Sequence, residues 1–123
     1  MAEIKRINAV FLYVADMAVM RNFYENTLKL GKPVVETDLW VEYELEGSNL
    51  ALHQGDPRVL AQHDATTNTI RFSLETDDLE SLHRELAEQG VAFSFAPRTD
   101  FGSYLAELMD PEGNLIRVIQ YRM

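Results

Sequence analysis

Apolar and polar positions along this chain follow a period of two, then about 3.6, then two again, and the whole sequence of changes occurs twice. From Ile7 to Val14, alternation in a β-branched and aromatic background predicts a first strand. Asp16 then caps a helix in which Met17, Met20, Phe23, Tyr24, Leu28 and Leu30 recur at helical spacing, with Gly31 as its stop and Pro33 beyond. Val34-Val35 opens a short second strand. Trp40 to Glu46 alternates apolar with acidic, as a strand with one buried face does; Gly47-Ser48-Asn49 turns the chain and Leu50 to Gln54 pairs back. Gly55 to Asn68 is polar with no clear period and reads as a connection, with a helical turn expected around Val59-Leu60.

The second round begins with a strand over Thr69 to Glu75. Asp77 or Asp78 caps a helix with Leu79, Leu82, Leu86 and Ala87 on one face, ended by Gly90. Val91 to Phe95 is a strand expected to fail at Pro97, which has no N–H for a ladder. Tyr104 to Met109 and Leu115 to Tyr121 form the last hairpin, across a turn in which Asp110-Pro111 presets φ and Gly113-Asn114 tolerates positive φ.

The order is β-α-β-β-β twice, and matched residues support a duplication. Ala9 lies seven positions before Asp16 as Arg71 lies seven before Asp78, and Ala51 lies four after Gly47 as Arg117 lies four after Gly113. The reading is a first module over residues 1–54, a linker over 55–68 and a second module over 69–123, together one structural unit of the α+β class.

Period-two sorting gives two faces to each sheet. Val10, Leu12, Val14, Leu50, Leu52, Ile70, Phe72, Leu74, Ile116 and Val118 form the expected core beneath the helices. The opposite set mixes aromatics with isolated charges: Ala9, Phe11, Tyr13, Trp40, Glu42, Glu44, Ala51, His53, Arg71, Ser73, Arg117 and Ile119. By analogy between halves Tyr104, Ala106 and Leu108 are placed there too. Such a lining fits a cavity better than a solvated surface.

Composition narrows the function. Twenty acidic against eleven basic residues give a net charge of −9, which argues against nucleic-acid and anionic-membrane partners. There is no cysteine, so disulfides, thiolate metal sites and cysteine nucleophiles are excluded. No stretch reaches the length of a membrane span, and the apolar run after Lys5 and Arg6 is broken by Asp16 without a cleavage pattern, so a cytoplasmic protein is expected.

With Val14-Ala15-Asp16-Met17 opening a helix that carries Phe23-Tyr24 and Leu30-Gly31, and with the terminal Asp110-Pro111-Glu112-Gly113-Asn114, the chain resembles the vicinal oxygen chelate superfamily. That superfamily groups glyoxalase I, bleomycin-resistance proteins and extradiol dioxygenases. The resemblance implies two βαβββ modules forming a curved mixed sheet around a cleft, helices on the convex face, and a homodimer. It also implies, for metal-dependent members, ligands from the first and fourth strands of each half, which here are Ala9, Ala51, Arg71 and Arg117. Alanine has no donor atom and arginine no free lone pair, so no metal or other cofactor is expected.

The expected function is therefore a metal-free small-molecule-binding protein of the bleomycin-resistance type, sequestering an aromatic or anionic compound. Arg71 and Arg117 are the candidate anion clamp, unless Glu42, Glu44, Glu75 or Glu107 neutralises them in the free protein. Trp40, Phe11 and Tyr104 are candidate stacking residues, and His53 and Glu44 complete the candidate ligand set; Tyr13 and Tyr24 read as packing. Two alternatives stand beside it. One is a lyase or dioxygenase with ligands relocated to Glu42, Glu44 and His53, or with acid–base chemistry from His53 and Glu44. The other is a structural or regulatory dimer without ligand. His63 and His83 read as surface residues.

Overall fold

Among the described residues, the chain forms two four-stranded mixed sheets of the same topology, one in each of two compact units, residues 1–62 and 63–123. The computed structural model describes residues 2–55, 72–100 and 103–121. The expected helical turn at Val59-Leu60, the start of the strand at Thr69, and Ile70, Arg71 and His63 lie outside the described residues.

In the first unit β1 (Ala9–Val14) is followed by α1 (Met17–Asn22), a π-helical turn (Phe23–Thr27), β2 (Val35–Glu36), β3 (Trp40–Tyr43) and β4 (Asn49–Gln54). The spatial order is β1-β4-β3-β2, with β1 parallel to β4 and the rest antiparallel. Asp16 caps α1 as expected, its carboxylate accepting from the Val19 N–H at 3.1 Å. The helix does not run on unbroken to Leu30. It widens after Asn22, where the Leu28 N–H reaches back to the Phe23 carbonyl at 2.8 Å. The wider turn brings the adjacent side chains of Phe23 and Tyr24 both into the core, beside Met20, Val14, Val41, Tyr43, Leu50 and Leu52. Burying side chains of this size contributes about 1.5–3 kcal/mol each, and this apolar layer fixes α1 against the sheet.

The second unit repeats the plan with β5 (Ser73–Glu75), α2 (Leu79–Glu88), β6 (Phe93–Asp100), β7 (Ser103–Met109) and β8 (Leu115–Gln120), in the order β5-β8-β7-β6. Asp78 is the cap of α2, accepting from the Ser81 N–H and hydroxyl. Leu79 and Leu86 are buried as expected, whereas Ala87 is exposed. His83 is half-buried rather than on the surface, its ring edge-on to Phe93 at 4.6 Å.

Pro97 does not end its strand. β6 is the outer strand of its sheet, so a missing N–H is tolerated there, and the pairing with β7 shifts register between Phe95 and Arg98. Asp110 organises the last turn. Its buried carboxylate accepts from the Glu112 and Asn114 N–H groups at 2.9 Å each and from the Asn114 side chain at 2.7 Å, while Gly113 takes φ +84°.

Candidate functional site

Register decides which side chains gather on the sheet face away from α1. Phe11 stands opposite Ala51, Tyr13 opposite His53, Trp40 opposite His53 and Glu42 opposite Ala51. Three neighbouring strands thereby bring four rings together. Phe11 lies 5.5 Å from Tyr13, 5.3 Å from Trp40 and 6.0 Å from His53; His53 lies 5.0 Å from Tyr13 and 5.6 Å from Trp40. The rings meet edge-on or tilted, an arrangement the aromatic quadrupole favours. They are not sealed in: Phe11 is 45% exposed and Tyr13 54%. Tyr13, expected to be packing, is part of this platform.

Glu42 sits beside the platform and is held by it. One carboxylate oxygen accepts from the Trp40 indole N–H at 2.9 Å and the other from the Asn49 amide at 2.6 Å. These two hydrogen bonds, that from Asn49 first, pull the Glu42 carboxyl below its ordinary range against the opposing effect of desolvation. The His53 Nδ1 lies 3.0 Å from the Gln54 carbonyl; a carbonyl only accepts, so Nδ1 is the donor. Glu44 lies past the end of β3 and is exposed.

The equivalent face of the second unit has different chemistry. Ser73 and Glu107 both stand opposite Arg117, so Ser73, Arg117 and Glu107 occupy the positions of Phe11, Ala51 and Glu42. The Arg117 guanidinium is 3.7 Å from the Glu107 carboxylate, which also accepts from the Ser94 hydroxyl at 2.7 Å.

Tyr104 does not share this face. It pairs with Gln120, on the side of Ile116 and Val118, and its hydroxyl donates to Glu80 of α2 at 3.2 Å. Ala106 and Leu108 go with it into the core. Eight residues separate Glu42 from Ala51 but nine separate Glu107 from Arg117, and that one extra residue turns every side chain of β7 over.

The donor set does not fit a divalent ion at the family's positions. Ala9 and Ala51 present methyl groups, Arg117 is a cation, and Arg71 lies outside the described residues. Among the described residues no group of three His, Asp or Glu side chains converges, so the relocated set of Glu42, Glu44 and His53 does not form.

This chain belongs to the glyoxalase/bleomycin resistance protein/dioxygenase superfamily, whose family model matches residues 6–118. Among solved structures it is similar to TnmS3, an antibiotic binding protein from Streptomyces sp. CB03234, with 22% identity, a TM-score of 0.78 and coverage of 99% of this chain and 100% of that one. It is also similar to a superfamily member from Sphaerobacter thermophilus (24% identity, TM-score 0.70, 95% and 98% covered) and to a family enzyme from Burkholderia phytofirmans (17%, 0.76, 96% and 100%). At these identities the likeness is one of fold. No curated protein matches the sequence. Among the described residues no helix is long and apolar enough to cross a membrane.

Proposed function

We propose that this chain is a small-molecule-binding protein that sequesters an aromatic compound on the platform of Phe11, Tyr13, Trp40 and His53, without metal chemistry. The observation that carries the reading is the platform itself. Four rings held by three strands, two of them about half exposed, are costly to leave in water and offer π-faces and edges to a ring-bearing ligand. Membership of a superfamily that includes bleomycin resistance proteins supports it, as does the similarity to an antibiotic binding protein. The protein acts as a cytoplasmic homodimer on this reading. An anion clamp made by Arg71 and Arg117 is less favoured, because Arg117 has to leave Glu107 to serve in it.

Trp40 is the chain's single tryptophan, so its emission reports the platform directly. Titration with a panel of ring-bearing antibiotics is expected to give a saturable change in emission and a matching thermal shift; a ligand at a hundred times its dissociation constant adds about 2.7 kcal/mol. An unmoved emission and melting temperature across neutral, cationic and anionic aromatics refutes the reading.

A further inference from the structure

We infer that the ligand of this platform is an organic cation, a tertiary or quaternary ammonium attached to or near a ring; the inference rests on the aromatic-binding reading above. It comes from comparing the two halves of the chain position by position. Each sheet carries a glutamate at the same place on its third strand, Glu42 in one and Glu107 in the other, each opposite the same position of the fourth strand. In the second unit that position is Arg117, and the protein supplies its own counter-charge at 3.7 Å. In the first unit it is Ala51, and the partners of Glu42 are the neutral donors Trp40 and Asn49. The negative charge is therefore fixed, oriented and left without a cation among the described residues.

What surrounds Glu42 matches a positively charged guest. Each of its two oxygens accepts one hydrogen bond and keeps a lone pair for another donor or for a purely coulombic contact. The indole donating to it also offers its π-face, the strongest aromatic surface for a cation, and Phe11 and Tyr13 extend that surface where they are most exposed. His53 commits its Nδ1 to the Gln54 carbonyl and packs its ring against Tyr13 and Trp40. An anion on this face meets a carboxylate at its edge and negative ring faces beneath it.

Three probes of one shape separate charge from ring binding: 4-(trimethylammonio)phenol, 4-tert-butylphenol and 4-hydroxybenzenesulfonate, titrated into the intact protein and read by calorimetry and Trp40 emission. The ammonium compound is expected to bind roughly five- to thirtyfold more tightly than the tert-butyl compound, the range of cation–π gains at a partly desolvated site. The sulfonate is expected to bind most weakly. Glu42→Gln, which keeps an acceptor for the Trp40 indole, should narrow the ammonium-to-tert-butyl affinity ratio severalfold, and an unchanged ratio overturns the part of the inference that assigns the counter-charge to Glu42. Equal binding of the ammonium and tert-butyl compounds to the wild-type protein overturns the inference and leaves aromatic binding standing. Tighter binding of the sulfonate overturns it in favour of the arginines. Failure of all three to bind overturns both the inference and the reading on which it rests.

Discussion

The hydroxyl of Tyr43 donates a 2.7 Å hydrogen bond to Oε2 of Glu25, the same carboxylate that Arg21 holds from one turn back at 2.6 Å. The pair ties β3, the strand carrying Trp40 and Glu42, to the π-helical turn on the other side of the sheet. Arg21 also reaches Glu36 of β2 at 3.0 Å, so one guanidinium joins helix, turn and edge strand.

Tyr43→Phe keeps the buried ring and removes only the hydroxyl. A hydrogen bond to a charged group is worth about 1.5–3 kcal/mol, and a loss near the lower end is expected because Arg21 still partners Glu25. Urea unfolding measures it. A loss below about 0.5 kcal/mol means that the arginine alone satisfies the carboxylate.

Acid should destabilise the protein through identifiable groups. Glu25 is held below its ordinary value of 4.5, chiefly by the Arg21 hydrogen bond; Glu42 is lowered by Asn49 and Trp40, and Asp78 by the Ser81 N–H. Carboxyls lowered in the folded state add stability that is fully present above their unfolded values and is lost as pH falls through the folded ones. Unfolding free energy should thus be level near neutrality and decline below about pH 4.5. Arg21→Gln should flatten that decline; an unchanged pH profile assigns it to other carboxyls.

The Trp40–Glu42 hydrogen bond makes the emission of the sole tryptophan sensitive to the state of Glu42. Protonation of a lowered carboxyl places the emission change below pH 4.5, on the acid side of an ordinary glutamate. Glu42→Gln should abolish that change while the far-ultraviolet circular dichroism spectrum is preserved. A transition that survives the substitution belongs to another group.

At the last turn, Asp110→Ala removes the acceptor of three donors from a buried position, and a cost of about 2–3 kcal/mol is expected. Gly113→Ala has open space for its methyl group but keeps φ at +84°, so its cost is about 1 kcal/mol of backbone strain. Thermal denaturation of the two variants checks the ranking, which reverses if the turn is held by the glycine alone.

Caps, the stop of α2 and strand parity in the first unit are written in local chemistry, and for that reason Asp16, Asp78, Gly47 and Gly90 stand where pattern places them. The first helical segment instead ends at Thr27, short of the expected stop at Gly31, with Lys29 taking φ +61°. What escapes pattern depends on counts made at a distance. The extra residue between Glu107 and Arg117 carries Tyr104 to the helix side, and nothing in the periodicity of β7 registers that insertion. Pro97 continues a strand because of where β6 lies in the sheet, which is a property of topology. Tyr13 reads as one more aromatic in an apolar run until the parallel pairing of β1 with β4 sets it against His53. The arginine at position 117 was legible as a charge on a sheet face, and its pairing with Glu107 was one of several partners that spacing permitted.

The proline in the outermost strand has a consequence for how molecules of this protein meet. A strand seeking to join that rim needs an unbroken row of donors and acceptors. Here β6 carries Pro97, a residue with no donor, at the point where its own pairing with β7 shifts register between Phe95 and Arg98, with Arg98 lying over the Phe95 ring at 3.9 Å. Sheet-to-sheet fibre growth through this border is thereby discouraged. Replacing Pro97 with a threonine should restore the missing donor and raise the rate of thioflavin-positive aggregation in concentrated solution, and an unaltered rate would show that some other guard protects the edge.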